Sequence, residues 1–210
     1  MRALDLSLYL VLDPVLCRGR QGMVDTALAA VQNGVTIVQL RAETMEKREW
    51  FEAGRALKAA LDPLNVPLIV NDHIDVALAI DATGVHVGQN DLPVDVARRL
   101  IGKEKWLGLS VSNLEQIQAV PFDVIDYLGV GPVYPTSSKR NAPAALGLDM
   151  LDDLVRYKRC PAVAIGGITA QTAANVLRCG VEGIAVVSAI CGQDDPAQAA
   201  RVLRAEVDIA

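Results

Sequence analysis

The sequence predicts an α/β protein: a single-domain (βα)8 barrel of the TIM type with eight parallel strands, covering residues 1–210. Three observations carry this prediction. Short apolar runs alternate strictly with helical patterns along the whole chain. The runs lack the polar alternation of a half-exposed strand, so they read as parallel strands buried on both faces. The last two runs end in small or hydroxyl residues, Gly166, Gly167 and Thr169 first, then Ser188 and Ala189. Such endings leave backbone N–H groups open, and open amides at a helix start attract anions. In a (βα)8 barrel the loops after the last two strands form the usual phosphate site.

Strands are expected at 8–12, 35–40, 67–70, 84–87, 107–109, 127–130, 162–165 and 183–187. Helices are expected at 23–33, 47–61, 74–80, 94–101, 114–119, 148–157, 172–178 and 197–205. Gly34 and Gly180 stand where a left-handed helix C-cap is wanted, and Ser112 with Glu115 forms a capping-box pattern. Eight alternating pairs fit a closed barrel, with an open doubly wound sheet as the rival. The length of 210 residues lies at the lower edge of the barrel range, so most connections must be short.

Composition narrows the function classes. Apolar residues make up 51% and charged residues 21%, which excludes disorder and leaves enough apolar surface for one core. The net charge of −5 argues against a general affinity for nucleic acid or an anionic membrane, although one local phosphate site needs few cations. Cys17, Cys160, Cys179 and Cys191 have no metal-ligand spacing. Unpaired cysteines and the absence of a signal-like or spanning apolar run predict a cytoplasmic location. Nothing in the sequence specifies an oligomeric state.

Barrel chemistry sits at the C-terminal ends of the strands. Gln39 and Arg41 follow the second strand, and a planar guanidinium there suits a phosphate, or else a rim salt bridge. Asn71 and Asp72 follow the third strand, and Asp91 follows the fourth. Two aspartates on neighbouring strands suit one shared Mg²⁺, which takes few carboxylates plus water and phosphate oxygens. Helix capping is the plainer alternative, and Asp75 and Asp95 suit it better. Ser110 ends the fifth strand. The loop after the sixth strand, with Thr136, Ser138, Lys139 and Arg140, is long and rich in hydroxyls, as binding lids often are. His86 lies within a strand pattern, oriented by packing, and no Ser-His-Asp or zinc set is expected.

The segments VQLR, PLIVNDHIDVALAI, GVHVGQNDLPV, GLSVSN, GVGPVYPTSSK, AIGGIT and VVSAI occur in this order from Val38 to Ile190. Each is weakly specific, but the ordered set resembles the thiamine phosphate synthase (thiamine-phosphate pyrophosphorylase) family. The resemblance implies a TIM-barrel transferase that joins hydroxymethylpyrimidine diphosphate to hydroxyethylthiazole phosphate and releases diphosphate. It implies that Gln39, Arg41 and Asn71 hold the pyrimidine diphosphate and that Asp72 and Asp91 bind Mg²⁺. Ser110 would face the pyrimidine and diphosphate, and Lys139 the departing diphosphate. Thr136, Ser138 and backbone N–H groups near Gly167, Val187 and Ser188 would bind the thiazole phosphate. Ser138 replaces a threonine common in the family and keeps the hydroxyl.

One position departs from the family pattern. Relatives commonly follow Gln-Leu-Arg with an acidic residue and then a lysine that contacts diphosphate, whereas this chain has Ala42 and Glu43. Three readings of Glu43 follow: Lys47 or Arg48 reaches in from the next helix, Glu43 points to solvent, or diphosphate binding is weakened. The departure also keeps two alternatives in view, a thiazole phosphate tautomerase-like paralogue and a non-catalytic phosphate binder. Retention of Asp72, Asp91 and Lys139 favours the synthase.

Overall fold

The computed structural model describes residues 4–138 and 143–210. The strands are β1 (Leu8–Leu12), β2 (Ile37–Leu40), β3 (Leu68–Asn71), β4 (Gly84–Val87), β5 (Trp106–Val111), β6 (Tyr127–Val130), β7 (Ala162–Ile165) and β8 (Gly183–Val186). All pair in parallel and in sequence order, and β8 returns to β1 to close the barrel. The helices are α1 (Arg20–Val31), α2 (Lys47–Leu61), α3 (Ile74–Ala79), α4 (Val94–Ile101), α5 (Leu114–Gln118), α6 (Gly147–Val155), α7 (Ala170–Leu177) and α8 (Pro196–Asp208). Closure excludes the open-sheet rival.

The core has two layers. Leu8, Leu10, Val38, Leu40, Val70, Val85, Leu107, Leu128, Ala164 and Ile184 point outward and pack against the helices. Tyr9, Val11, Ile37, Ile69, Trp106, Tyr127, Val163, Ala185 and Val187 form a separate cluster inside the barrel. Successive strand residues face opposite sides, and both sides are buried, which is why the strands read as continuous apolar runs.

Large inward side chains meet glycines on adjoining strands. In the register of β4, β5 and β6, Gly84 pairs with Trp106, His86 with Gly108, and Gly108 with Tyr127. A Cβ on Gly84 would lie 2.9 Å from Trp106 Cβ, and one on Gly108 would lie 2.3 Å from Tyr127 Cζ. Interleaving large and small residues fills the barrel without voids.

Two local expectations change. The cap of α5 is Asn113, whose side chain accepts from Gln116 N at 2.9 Å, not Ser112. Asn is as good a cap as Ser, and the Gln116 side chain reaches back to Ser112 N at 2.7 Å, so the reciprocal pattern moves along by one residue. A 3-10 turn at Asp62–Leu64 also follows α2, ending on Asn65 in the left-handed region. Gly34 and Gly180 do adopt positive φ, at 107° and 87°.

Gly183 begins β8 against the entry to β1, where a Cβ would lie 1.8 Å from the Leu6 carbonyl oxygen. Backbone cannot yield there as a side chain can. Gly183→Ala is expected to lower stability by roughly 2 to 3 kcal/mol, read as a lower urea midpoint at unchanged slope.

Candidate functional site

The C-terminal ends of the strands enclose a cavity of about 550 Å³. Gln39, Arg41, Asn71, Asp72, Asp91, Ser110, Thr136, Ser138, Gly167, Val187 and Ser188 all line it. Lys139, together with Arg140, lies outside the described residues. Of the buried polar residues described, Gln39, Arg41, Asn71 and His86 line this cavity, and Thr26 alone lies elsewhere. Burying polar groups is costly unless they have partners, so their concentration at one cavity marks a built site.

One side of the cavity is formed by the loops after the last two strands. Gly166 and Gly167 have φ of 103° and 62°, and a Cβ on Gly167 would lie 2.6 Å from the Pro135 carbonyl oxygen. That loop is pinned to the segment after β6, since Val133 N donates to Ile165 O at 2.9 Å and Tyr134 N to Gly166 O at 3.0 Å. After β8 the chain turns through Ser188 and Ala189, with Cys191 N donating to Val187 O at 2.8 Å. The amides of Gly167 and Ser188 have no backbone acceptor among the described residues, and both residues are exposed at the cavity. Thr136 Oγ1 accepts from Ser138 N at 3.2 Å, which draws the segment after β6 into a tight turn.

Arg41 directly follows β2 and lines the same cavity. It is 8% exposed, and one of its terminal nitrogens donates to the Ser138 carbonyl. Its Nε lies 3.7 Å from Glu43 Oε1. Glu43 therefore lines the cavity as a half-exposed carboxylate beside the buried guanidinium. Lys47 does not compensate: its ammonium binds His73 Nδ1 at 2.7 Å and Asp75 at 3.1 Å. Arg48 is almost fully exposed and faces Glu52. Burial, followed by the neighbouring Lys47 ammonium, lowers the pKa of His73 below its ordinary value.

Neither aspartate is a helix N-cap residue. His73 is the N-cap of α3 and Pro93 that of α4. Asp72 instead holds a left-handed φ of 58°, a strained conformation for a non-glycine residue, and its Oδ2 accepts from Asn71 Nδ2 at 2.6 Å. Asp91 Oδ2 accepts from Gly88 N at 2.7 Å. Among the described residues no cluster of three or more His, Cys, Asp or Glu could hold a metal. Two hard carboxylates without nitrogen or sulfur donors match Mg²⁺, which completes its shell with water and substrate oxygens.

Beneath the rim lies a polar chain that sequence reasoning missed. Gln39 Nε2 donates to Tyr9 Oη at 2.7 Å, and the Tyr9 and Tyr127 hydroxyls lie 2.9 Å apart. Tyr127 Oη is 3.0 Å from His86 Nδ1, and His86 Nε2 is 2.8 Å from Ser110 Oγ. His86 is thus oriented by hydrogen bonds at both ring nitrogens and not by packing alone. Its two ring nitrogens meet the Tyr127 and Ser110 hydroxyls, not the carboxylate and nucleophile pair of a hydrolytic triad. The available signals were two tyrosines in otherwise aliphatic strands and the facing glycines Gly108 and Gly129.

Open amides on the last two strands, a buried guanidinium and two carboxylates around one cavity at the strand C-termini mark an enzyme of the (βα)8 barrel class. The profile of the thiamine monophosphate synthase family matches residues 8–190. A thiamine-phosphate synthase of Laribacter hongkongensis is 48% identical over 204 residues, covering 97% of this chain and 96% of that protein. One of Chloroflexus aurantiacus is 50% identical over 206 residues, covering 98% and 94%. The solved thiamine phosphate pyrophosphorylase from Pyrococcus furiosus superposes with a TM-score of 0.87 at 36% identity, covering 98% of this chain and 96% of that one. The chain belongs to the thiamine monophosphate synthase family. A 3-hexulose-6-phosphate synthase, at 18% identity and a TM-score of 0.66, shares the fold.

Glu43 and Arg41 give the site an internal test. Glu43→Lys adds positive charge where an acidic group now competes for the guanidinium. The Kd for inorganic diphosphate with Mg²⁺, measured by calorimetry, should tighten roughly five-fold. An unchanged Kd would mean that Glu43 has no electrostatic reach into the anion site.

Proposed function

We propose that this chain is an active thiamine phosphate synthase, a transferase joining hydroxymethylpyrimidine diphosphate to hydroxyethylthiazole phosphate with release of diphosphate. The convergence of Arg41, Asp72, Asp91, Ser110 and the Gly167–Ser188 cradle on one cavity is the observation that carries this reading. Family membership across residues 8–190 supports it. Both partners are small phosphorylated molecules, and a cytoplasmic location belongs to the same reading because the reaction needs a compartment that holds both. Residues 1–210 are read as one barrel domain, supported by elements that run from Leu8 to Asp208.

The reaction forms a bond from the thiazole nitrogen to the pyrimidine methylene carbon and breaks the bond from that carbon to the diphosphate oxygen. The electron-rich aminopyrimidine stabilises positive charge at the methylene, so no protein nucleophile is required. The protein must align the two substrates and neutralise the leaving group. Arg41 and Asn71 hold the diphosphate, with Lys139 assigned the same task. Gln39 and Ser110 orient the pyrimidine. Thr136, Ser138 and the amides near Gly167, Val187 and Ser188 hold the thiazole phosphate. Val163, Ile165, Ala185 and Val187 give the cavity apolar walls that keep water from the electrophilic carbon. Asp72 and Asp91 would hold Mg²⁺, which supplies charge neutralisation to the diphosphate oxygens.

Purified protein given both substrates with Mg²⁺ should form thiamine phosphate and diphosphate in equal amounts. No product at high enzyme concentration would refute the proposal. Chelation with EDTA should abolish turnover and added Mg²⁺ restore it; activity that survives chelation removes the metal from the reading. Arg41→Ala should lower kcat/KM about 100-fold by removing a preorganised cation from the leaving group.

A further inference from the structure

The polar chain beneath the cavity has a direction. Each phenol carries one hydrogen, and its oxygen accepts from others. The Gln39 amide nitrogen donates to Tyr9 Oη, so the hydrogen of Tyr9 is available to Tyr127 Oη. The hydrogen of Tyr127 then goes to His86 Nδ1. A lone pair at Nδ1 places the ring proton on Nε2, and that N–H donates to Ser110 Oγ. Ser110, already accepting there, has its own hydrogen left for the cavity. In the opposite direction Tyr9 would accept from both Gln39 and Tyr127, with no described acceptor for its own hydrogen.

The barrel is shaped to hold this chain. A Cβ on Gly108 would lie 2.4 Å from His86 Nδ1, and one on Gly129 would lie 3.0 Å from His86 Cε1. Two strands therefore forgo side chains so that an imidazole fits between them. An aliphatic residue in its place would fill the same space without needing polar partners, so packing does not account for the choice. Burial raises both phenols above their ordinary pKa, so each keeps the hydrogen the chain requires.

We infer that the Gln39–Tyr9–Tyr127–His86 chain fixes Ser110 as a hydrogen-bond donor, with Tyr127 and His86 as positioning residues for the pyrimidine diphosphate. The donor meets an atom with an available lone pair, a ring nitrogen or a diphosphate oxygen. This rests on the synthase reading for the identity of that substrate, while the polarity of the chain belongs to the free protein. Tyr127 does not line the cavity, so its hydroxyl acts on the reaction only through the chain.

The polarity is tested in the intact, substrate-free protein labelled with nitrogen-15 at histidine. The sequence has two histidines, so His73→Gln leaves the signals of His86 alone in the spectrum. Long-range proton–nitrogen correlations should show the proton of His86 on Nε2; a proton on Nδ1 overturns the inference. Kinetics supply the second arm. Tyr127→Phe should lower kcat about ten-fold, the size typical of losing an outer hydrogen-bond partner, and should cause no further loss in the Ser110→Ala background. Equal losses in both backgrounds would make Tyr127 merely structural and overturn the positioning role. An Nε2 proton in a protein that forms no thiamine phosphate would refute the synthase reading and leave the polarity standing. Turnover with an Nδ1 proton would do the reverse.

Discussion

The floor of the cavity depends on one steric exchange, in which β5 carries no side chain at Gly108 so that Tyr127 and His86 can meet inside the barrel. Filling a barrel of this size is a matter of inward side chains from every strand, and a large residue on one strand demands a small one beside it. Once two phenols and an imidazole occupy that volume, each must satisfy the next. A buried polar group left without a partner costs about 1 to 3 kcal/mol. The chain from Gln39 to Ser110 is therefore kept whole or not at all, and the position of Ser110 follows from residues well below it.

The rim is organised by charge and less by shape. Asp72 and Asp91 stand on the β3 and β4 side, and open amides stand on the β7 and β8 side. Arg41 faces the space between these groups and is shared by Glu43 and the Ser138 carbonyl. An anion entering that space meets a cation already partly neutralised. Glu43 is exposed enough for solvent to screen the pair, so the pairing weakens the attraction without cancelling it.

Most of the fold was legible because outward strand residues are uniformly aliphatic and helices such as α2, α4 and α6 show a clear apolar face. Strand bounds at Leu8–Leu12 and Gly84–Val87 coincide with expectation, since flanking residues change character abruptly there. Helix ends were less legible: the cap of α5 falls on Asn113 because neighbouring residues have similar capping chemistry. The rim of the site was readable for a similar reason, as Arg41, Asp72, Asp91 and Ser110 each follow an apolar run. Its floor was not. Tyr9 and Tyr127 are 118 residues apart, and nothing local to either reports the hydroxyl of the other. His86 looked like core because a strand buried on both faces shows no alternation to set it apart.

The contact between Arg41 and the Ser138 carbonyl joins the rim of β2 to the loop after β6. A guanidinium that holds this carbonyl has fewer donors for a ligand, and a ligand that takes those donors releases the carbonyl. Where both use the same donor the two occupancies are thermodynamically reciprocal: the loop's attachment subtracts from anion affinity the same free energy that the anion subtracts from the attachment. A loop that competes in this way is tethered, so it acts at a fixed local concentration whatever the ligand level. On the proposed function, docking of the loop and filling of the diphosphate site are then two readings of a single equilibrium.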